Sequence, residues 1–342
     1  MKRMLSLFIL ATLSVALLSS CGSPALRYGS CSVDADIYDY LYASYKYVYV
    51  CEHKGIEDTE EGWQEEVRDG VTYEEDFHAS FDVFVRSLVV ASALYEADRR
   101  LSSDYQTARA TVEARIDSLF YYESDSSPSA LSACLAPYGT DYDGLYYTFL
   151  LLYRHDRLRT ALFGDSGIGA VTSGDYADTV KAYYDENCIY VRYASLETDA
   201  IARDAADAAF DAVTSDEDFD AFIAAYSTSE TKNGFFYRYD SYPDVDADVL
   251  FAVTRLSVGE QVSVAVDGTV YYIRRYPTGE EYKETANTGY FEQFYTDVSE
   301  ICYREYLEDL TRDVETLSAE AKHPWQVTAP VDYNAVYHWL SY

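Results

Sequence analysis

Apolar residues at helical spacing crowd both ends of this 342-residue chain, and neither set can be buried where it stands. Near the C-terminus Phe294, Val298 and Ile301, then Tyr303, Leu307, Leu310, Val314 and Leu317, make one stripe. A lone helix would leave such a stripe in water. Near the N-terminus, from Val33 on, Ile37, Leu41, Tyr45 and Val48 recur every three or four residues. The two sets are natural partners. The chain is therefore expected to return on itself, with the residues in between inserted into a helical domain built from both ends.

The N-terminal part carries further helical signals. Phe77, Phe81, Phe84, Val85 and Leu88 share one face of a long helix over roughly 73–98. Asp104 reads as the N-cap of a third helix bearing Ala108, Val112, Ile116, Leu119 and Phe120. Ser127-Pro128 restarts the chain into a short helix that ends near Pro137-Tyr138-Gly139. A long helix over about 142–162, the loop Gly164 to Gly169 and a helix over 173–187 follow.

From Cys188 the pattern changes to α+β. Ile189 to Leu196 reads as a strand. Helices are expected over about 198–213 and 216–226, the second facing inward with Phe219, Phe222 and Ile223. Gln261 to Val266 and Thr269 to Arg275 flank Asp267-Gly268, a strong signal for a tight hairpin.

The segment Cys188 to Tyr276 resembles a parvulin-type prolyl isomerase domain. The strand Ile189-Tyr190-Val191-Arg192-Tyr193-Ala194-Ser195-Leu196 stands where that family reads V-K-A-R-H-I-L, and Val270-Tyr271-Tyr272-Ile273-Arg274-Arg275 where it reads G-Y-H-I-I-K. Tyr226-Ser227-Thr228-Ser229, Asn233-Gly234-Phe235-Phe236, Pro243 through Ala252, and Leu256-Ser257-Val258-Gly259-Glu260 resemble the motifs between them, in the same order. With helices before and after, the mature chain is similar to PrsA/SurA-type foldases. That resemblance implies an α+β fold: a helical chaperone-like domain with an inserted parvulin-like unit, a small antiparallel sheet plus helices. The implied divisions are a leader over 1–20, a tether over 21–32, helices over 33–187, the parvulin-like unit over 188–277 and a return over 278–342.

The family's two histidines are missing, since no histidine occurs between His155 and His323. The resemblance puts Tyr193 and Tyr272 in their places, facing one cleft, with Ser229 as the third polar group. It puts Phe236, Val245 and Phe251 in the cup for a proline ring. Isomerisation breaks no covalent bond; its barrier is amide resonance, about 18–20 kcal/mol, lowered by binding the twisted amide better than the planar one. Hydroxyls in place of imidazoles imply weak or lost catalysis, and the unit is expected to bind extended, proline-containing segments. An active isomerase using Tyr193, Ser229 and Tyr272 is the alternative from the enzyme class, and a surface ligand-binding lipoprotein is a third.

The ends of the chain bear on location. Lys2 and Arg3, the apolar run Leu5 to Leu18 and then Leu18-Ser19-Ser20-Cys21 resemble a bacterial lipoprotein leader, which implies lipidation of Cys21 and an extracytoplasmic anchor. No other stretch reads as a bilayer span. Without Lys2 and Arg3, 24 basic residues face 59 acidic ones, a net charge of −35. Such a surface repels nucleic acid and anionic headgroups; the foldase resemblance implies unfolded exported polypeptides as the partners. Besides Cys21 there are five cysteines, Cys31, Cys51, Cys134, Cys188 and Cys302, expected to act as small buried apolar residues, the odd number implying at least one free thiol or a bridge between chains.

Other signals carry little. Gly164-Asp165-Ser166-Gly167 lacks the rest of a serine-nucleophile signature and reads as a helix-ending loop. Asp240, Asp244, Asp246 and Asp248 lack the glycine and terminal glutamate of an EF-hand. Glu60-Glu61 and Glu74-Glu75 suit helix starts. The histidines show no ligand spacing, and neither metal nor cofactor is expected. Tyrosine is abundant, 37 of 342, and Tyr38 to Tyr49 with Tyr146-Tyr147 could line a client cradle as readily as a core.

Overall fold

A computed structural model describes residues 24–53, 56–120, 128–136, 140–197, 200–230, 232–238, 240–242, 245–284 and 289–318. The leader, Cys21, Pro243, Asp244 and the tail from Trp325 lie outside them. Helices together with small antiparallel sheets make it an α+β protein. The contacts divide the chain into two compact units, Met1–Ala161 with Tyr303–Tyr342, and Leu162–Cys302.

In the first unit β1 (Pro24–Tyr28) turns through Gly29, at φ +58°, into β2 (Cys31–Asp34). The tether expected over 21–32 is thereby corrected: Leu26 pairs with Val33 and Arg27 with Ser32, and Ala25, Leu26 and Val33 are buried. Strands this short show too few alternating positions to be read from sequence. Next come α1 (Ala35–Glu52), α2 (Glu60–Trp63) and the hairpin β3 (Glu66–Arg68) and β4 (Val71–Thr72). The long helix α3 (Tyr73–Ala97) follows, then α4 (Arg99–Ser102), α5 (Tyr105–Phe120), α6 (Pro128–Leu135) and α7 (Tyr142–Phe163).

Two acidic pairs do start helices. Glu75 completes a capping box with Thr72 at the head of α3, and Thr59 caps the turn that Glu60-Glu61 begin. The inner face of α3 and the tyrosines of α1 build the core. Tyr42 meets Phe77 and Phe81 edge-on, each at 5.1 Å, and Tyr38 meets Phe81 at 5.2 Å. Such pairs are worth about 0.5–1.5 kcal/mol each beyond their burial. Tyr38, Tyr40, Tyr42 and Tyr49 are all buried, so they are core, not cradle. Helix α3 is long and apolar enough to cross a membrane by length and composition, which corrects the expectation that no stretch besides the leader is. Its Phe77, Val85, Leu88, Val89, Val90 and Ala91 are, however, buried in the first unit.

The second unit begins with the end of α7 and the loop at Gly164, then α8 (Ile168–Thr172) and α9 (Ala177–Asn187). The strand β5 (Cys188–Glu197) follows, then α10 (Ala200–Asp211), α11 (Asp216–Tyr226), β6 (Asn233–Tyr237), β7 (Asp240–Tyr242) and α12 (Ala247–Val253). The hairpin β8 (Gln261–Val266) and β9 (Thr269–Tyr276) leads to α13 (Glu292–Thr311). Five strands form one antiparallel sheet in the order β7-β6-β5-β9-β8. Asp267 and Gly268, at φ +47° and +83°, make its tight turn.

This unit is wider than the 188–277 expected from resemblance. Tyr184 of α9 packs against Tyr282, Phe291 and Phe294, and Tyr237 of β6 against Phe294. The flanking helical segments share this aromatic cluster with the sheet, and only tertiary packing reveals it. After α13 the stripe does not stay helical. Glu315–Thr316 forms β10 beside β1, with Leu26 opposite Thr316, and Leu317 is 40 % exposed.

Candidate functional site

The sheet of the second unit has two different faces, and its register assigns the residues singled out in the sequence. Cross-strand partners share a face, and neighbours along a strand alternate. Tyr193 pairs with Ile273, and Ala194 with Tyr272. Tyr193 and Tyr272 therefore point to opposite sides of the sheet. The expectation that they face one cleft is corrected: the residue opposite Tyr272 is Ala194. Neighbouring positions along a strand point to opposite faces, so one residue of register exchanges them.

On one face lie the helices α10 and α11. Ser215 and Asp218 form a capping box that starts α11, and Phe219, Phe222 and Ile223 turn inward as expected. Tyr272 is fully buried there, with Phe210 and Phe222 each 5.1 Å away. Its hydroxyl donates to Asp207 Oδ1 at 2.8 Å. Burial, and then this carboxylate, push the phenol well above its ordinary value. Tyr272 is a packed and tethered core side chain.

The other face, beneath α12, holds a shallow apolar cup that its own walls nearly fill. Val191, Tyr193, Gly234, Phe236, Val245 and Ile273 are among its walls. Three residues picked from sequence thus meet here: Tyr193, Phe236 and Val245. Tyr271 completes the wall, its ring 6.3 Å from that of Tyr193. Helix α12 is started by Asp246, whose Oδ1 accepts from Asp248 N at 2.8 Å, so Asp246 has an ordinary capping role.

Phe251 is not in the cup. Val249 and Val253, one turn apart, take the inner side of α12, and Phe251 midway between them is 56 % exposed beneath the Arg255 guanidinium, 3.6 Å from its ring centre. Ser229 follows Thr228, whose N–H and hydroxyl both donate to Ser195 O at 2.8 Å. With Tyr272 on the far side, Tyr193, Ser229 and Tyr272 do not converge as a trio. Among the described residues no group of three or more His, Cys, Asp or Glu could hold a metal ion. Among the described residues Cys31, Cys188 and Cys302 are buried thiols in no disulfide, and Cys51 is exposed, contrary to expectation. Burial pushes the Cys188 thiol well up, which leaves it inert.

One polar cluster escaped the sequence reading. Tyr183 and Tyr237 share a hydrogen bond of 2.8 Å, Tyr237 also donates to Asp297, and Arg238 lies 3.2 Å from Asp297 and 2.5 Å from the Tyr183 hydroxyl. Arg238 takes φ +56°, a left-handed conformation, with its N–H held by Asn187 O. The cluster ties α9, the end of β6 and α13 together. Its members lie up to 114 positions apart, and no local pattern announces it.

No protein-family model matches the chain, and no curated protein matches it. Among solved structures it is similar to the foldase protein PrsA of Streptococcus pneumoniae, at 14 % identity and a TM-score of 0.23, over 70 % of this chain and 86 % of that one. PrsA of Bacillus subtilis is similar at 12 % identity and a TM-score of 0.25, over 64 % and 86 %. PrsA of Lactococcus lactis gives 15 % and 0.21, over 72 % and 84 %. Scores and identities this low are too slight to transfer a function.

Proposed function

We propose that the protein is an extracytoplasmic folding factor of the PrsA/SurA kind, anchored through a lipidated Cys21, that holds non-native exported polypeptides with little or no prolyl isomerisation. The observation that carries this reading is the split between the two faces of the sheet. The face beneath α12 offers an apolar cup bordered by Tyr193, Phe236, Val245 and Tyr271. The second tyrosine that a polar pair would need is buried on the other face and engaged by Asp207. Its apolar lining suits an apolar or proline side chain of an extended segment. It lacks a converging polar network to stabilise a twisted amide. The acidic surface, with 59 acidic residues against 26 basic, keeps such a protein soluble beside aggregating clients.

The test uses the full mature chain. It should slow aggregation of a chemically unfolded, secreted client at near-equimolar ratio, and Phe236→Ala should weaken that effect. Isomerisation of a proline-containing peptide should stay at its uncatalysed rate, tens to hundreds of seconds. Absence of suppression at several-fold excess rules out the holding role. Fast isomerisation that disappears in Tyr193→Phe or Tyr272→Phe would make the protein an enzyme. Fractionation of Cys21→Ala cells, with the protein leaving the membrane, checks the anchor.

A further inference from the structure

β8 is the terminal strand of its sheet, and its chemistry is unusual for an edge. β8 ends the strand order, so among the described residues no strand lies beyond it. Arg275 N donates to Glu260 O, and hydrogen-bonded and non-bonded pairs alternate along an antiparallel ladder. Val262, Val264 and Val266, opposite Ile273, Tyr271 and Thr269, therefore spend their backbone groups on β9. The two-residue turn Asp267-Gly268 closes on the pair Val266 and Thr269, which fits the same phase. Gln261, Ser263 and Ala265 are left with N–H and C=O directed outward, and Ser263 and Ala265 are exposed.

Sheet edges are ordinarily blunted by a charge, a proline or a bulge. Gln261-Val262-Ser263-Val264-Ala265-Val266 contains neither charge nor proline, and its register runs without a shift. Its three valines are only partly buried and pack against the cluster that contains Tyr193 and Phe236. The edge thus continues the apolar face of the cup. Each end of the strand carries an exposed carboxylate, Glu260 and Asp267.

We propose that β8 is a docking edge to which an extended segment of a non-native polypeptide adds as a further strand. The inference rests on the holding role above and names how the client is gripped. Backbone hydrogen bonds at Ser263 and Ala265 supply sequence-tolerant affinity, and alternate apolar side chains of the client extend the valine face. The acidic brackets select segments flanked by lysine or arginine. A second copy of this chain is disfavoured at the same edge, because the mature chain brings 24 basic residues against 59 acidic ones and the same two carboxylates.

The probe is a labelled peptide alternating valine and threonine between terminal lysines, added to the full mature chain. Binding should slow amide exchange at Ser263 and Ala265 at least tenfold. Ser263→Pro removes an outward N–H that the native ladder does not use, and Ala265→Lys places a charge on the edge. Each should weaken peptide binding about tenfold or more while circular dichroism stays unchanged, and glutamate flanks on the peptide should weaken it several-fold. Unchanged binding in both variants overturns the proposal. So does concentration-dependent self-association of the wild type that either variant abolishes, which would give the edge to a second copy. If both variants suppress client aggregation as well as the wild type, the edge assignment fails and the holding role stands. If the peptide protects β8 while no client is held, the edge stands and the holding role fails.

Discussion

The Tyr272 hydroxyl donates to Asp207 Oδ1 at 2.8 Å, on the face of the sheet away from Tyr193. This bond gives Tyr272 a structural job. Tyr272→Phe removes one charge-assisted hydrogen bond to a half-exposed carboxylate, so a loss of about 1 kcal/mol is expected. Urea unfolding measures it. Client holding should be unaffected, whereas Tyr193→Ala, which opens the wall of the cup, should reduce it.

His155 predicts an acid-sensitive stability. Its ring stacks edge-on to Tyr303 at 4.8 Å, and burial lowers its pKa from 6.5 to about 4. Above pH 6.5 both folded and unfolded forms are neutral, and the residue has no pH effect. As pH falls from 6.5 to 4, the unfolded chain takes up a proton that the folded one refuses. Stability is lost across that window, by up to about 3 kcal/mol at 1.36 kcal/mol per unit. His155→Gln should show a shallower decline of melting temperature between pH 6.5 and 4 than the wild type.

Lys46 and Asp58 should respond unequally to removal. Lys46 is 1 % exposed and 2.8 Å from Asp58, which is 26 % exposed and also accepts from Trp63 Nε1 at 2.8 Å. Asp58→Ala takes the balancing carboxylate from a buried ammonium and is expected to cost about 3–5 kcal/mol. Lys46→Met leaves a carboxylate that water can reach and that keeps its indole donor, so the loss should be smaller, about 1–2 kcal/mol. Equal losses by chemical denaturation would contradict this account.

Gly167 and Gly174 make a matched pair of left-handed glycines, at φ +75° and +78°. A Cβ at Gly167 would lie 2.4 Å from Tyr295 O and 2.9 Å from Ser299 Cβ, while one at Gly174 meets nothing within 4 Å. Gly174→Ala should therefore cost only the backbone penalty, about 1–2 kcal/mol. Gly167→Ala adds displacement of α13 and should cost clearly more, as thermal melting would report.

Several elements were legible because their signals are local. Asp267-Gly268 announces its hairpin through two residues that tolerate positive φ. Phe219, Phe222 and Ile223 sit at helical spacing behind the Ser215 cap. The α1 and α3 stripes declared helices, although not that the tyrosines of α1 would be spent inside the core. The short pairings of β1, β2 and β10 were not legible, since two to five residues show no period. Phe251 was misplaced because the pattern marks it apolar without saying that Val249 and Val253 occupy the inner side of its helix.

Sequence alone determined the acidity, the leader-like start, the helical periodicities and the alternation within β5 and β9. Tertiary structure alone decided which residue of β5 stands opposite Tyr272. Alternation is written along each strand, but register joins strands some eighty residues apart, and it depends on how α10, α11 and α12 fill the two faces. A shift of one position reverses every side chain, and here that single step separates Tyr193 from Tyr272.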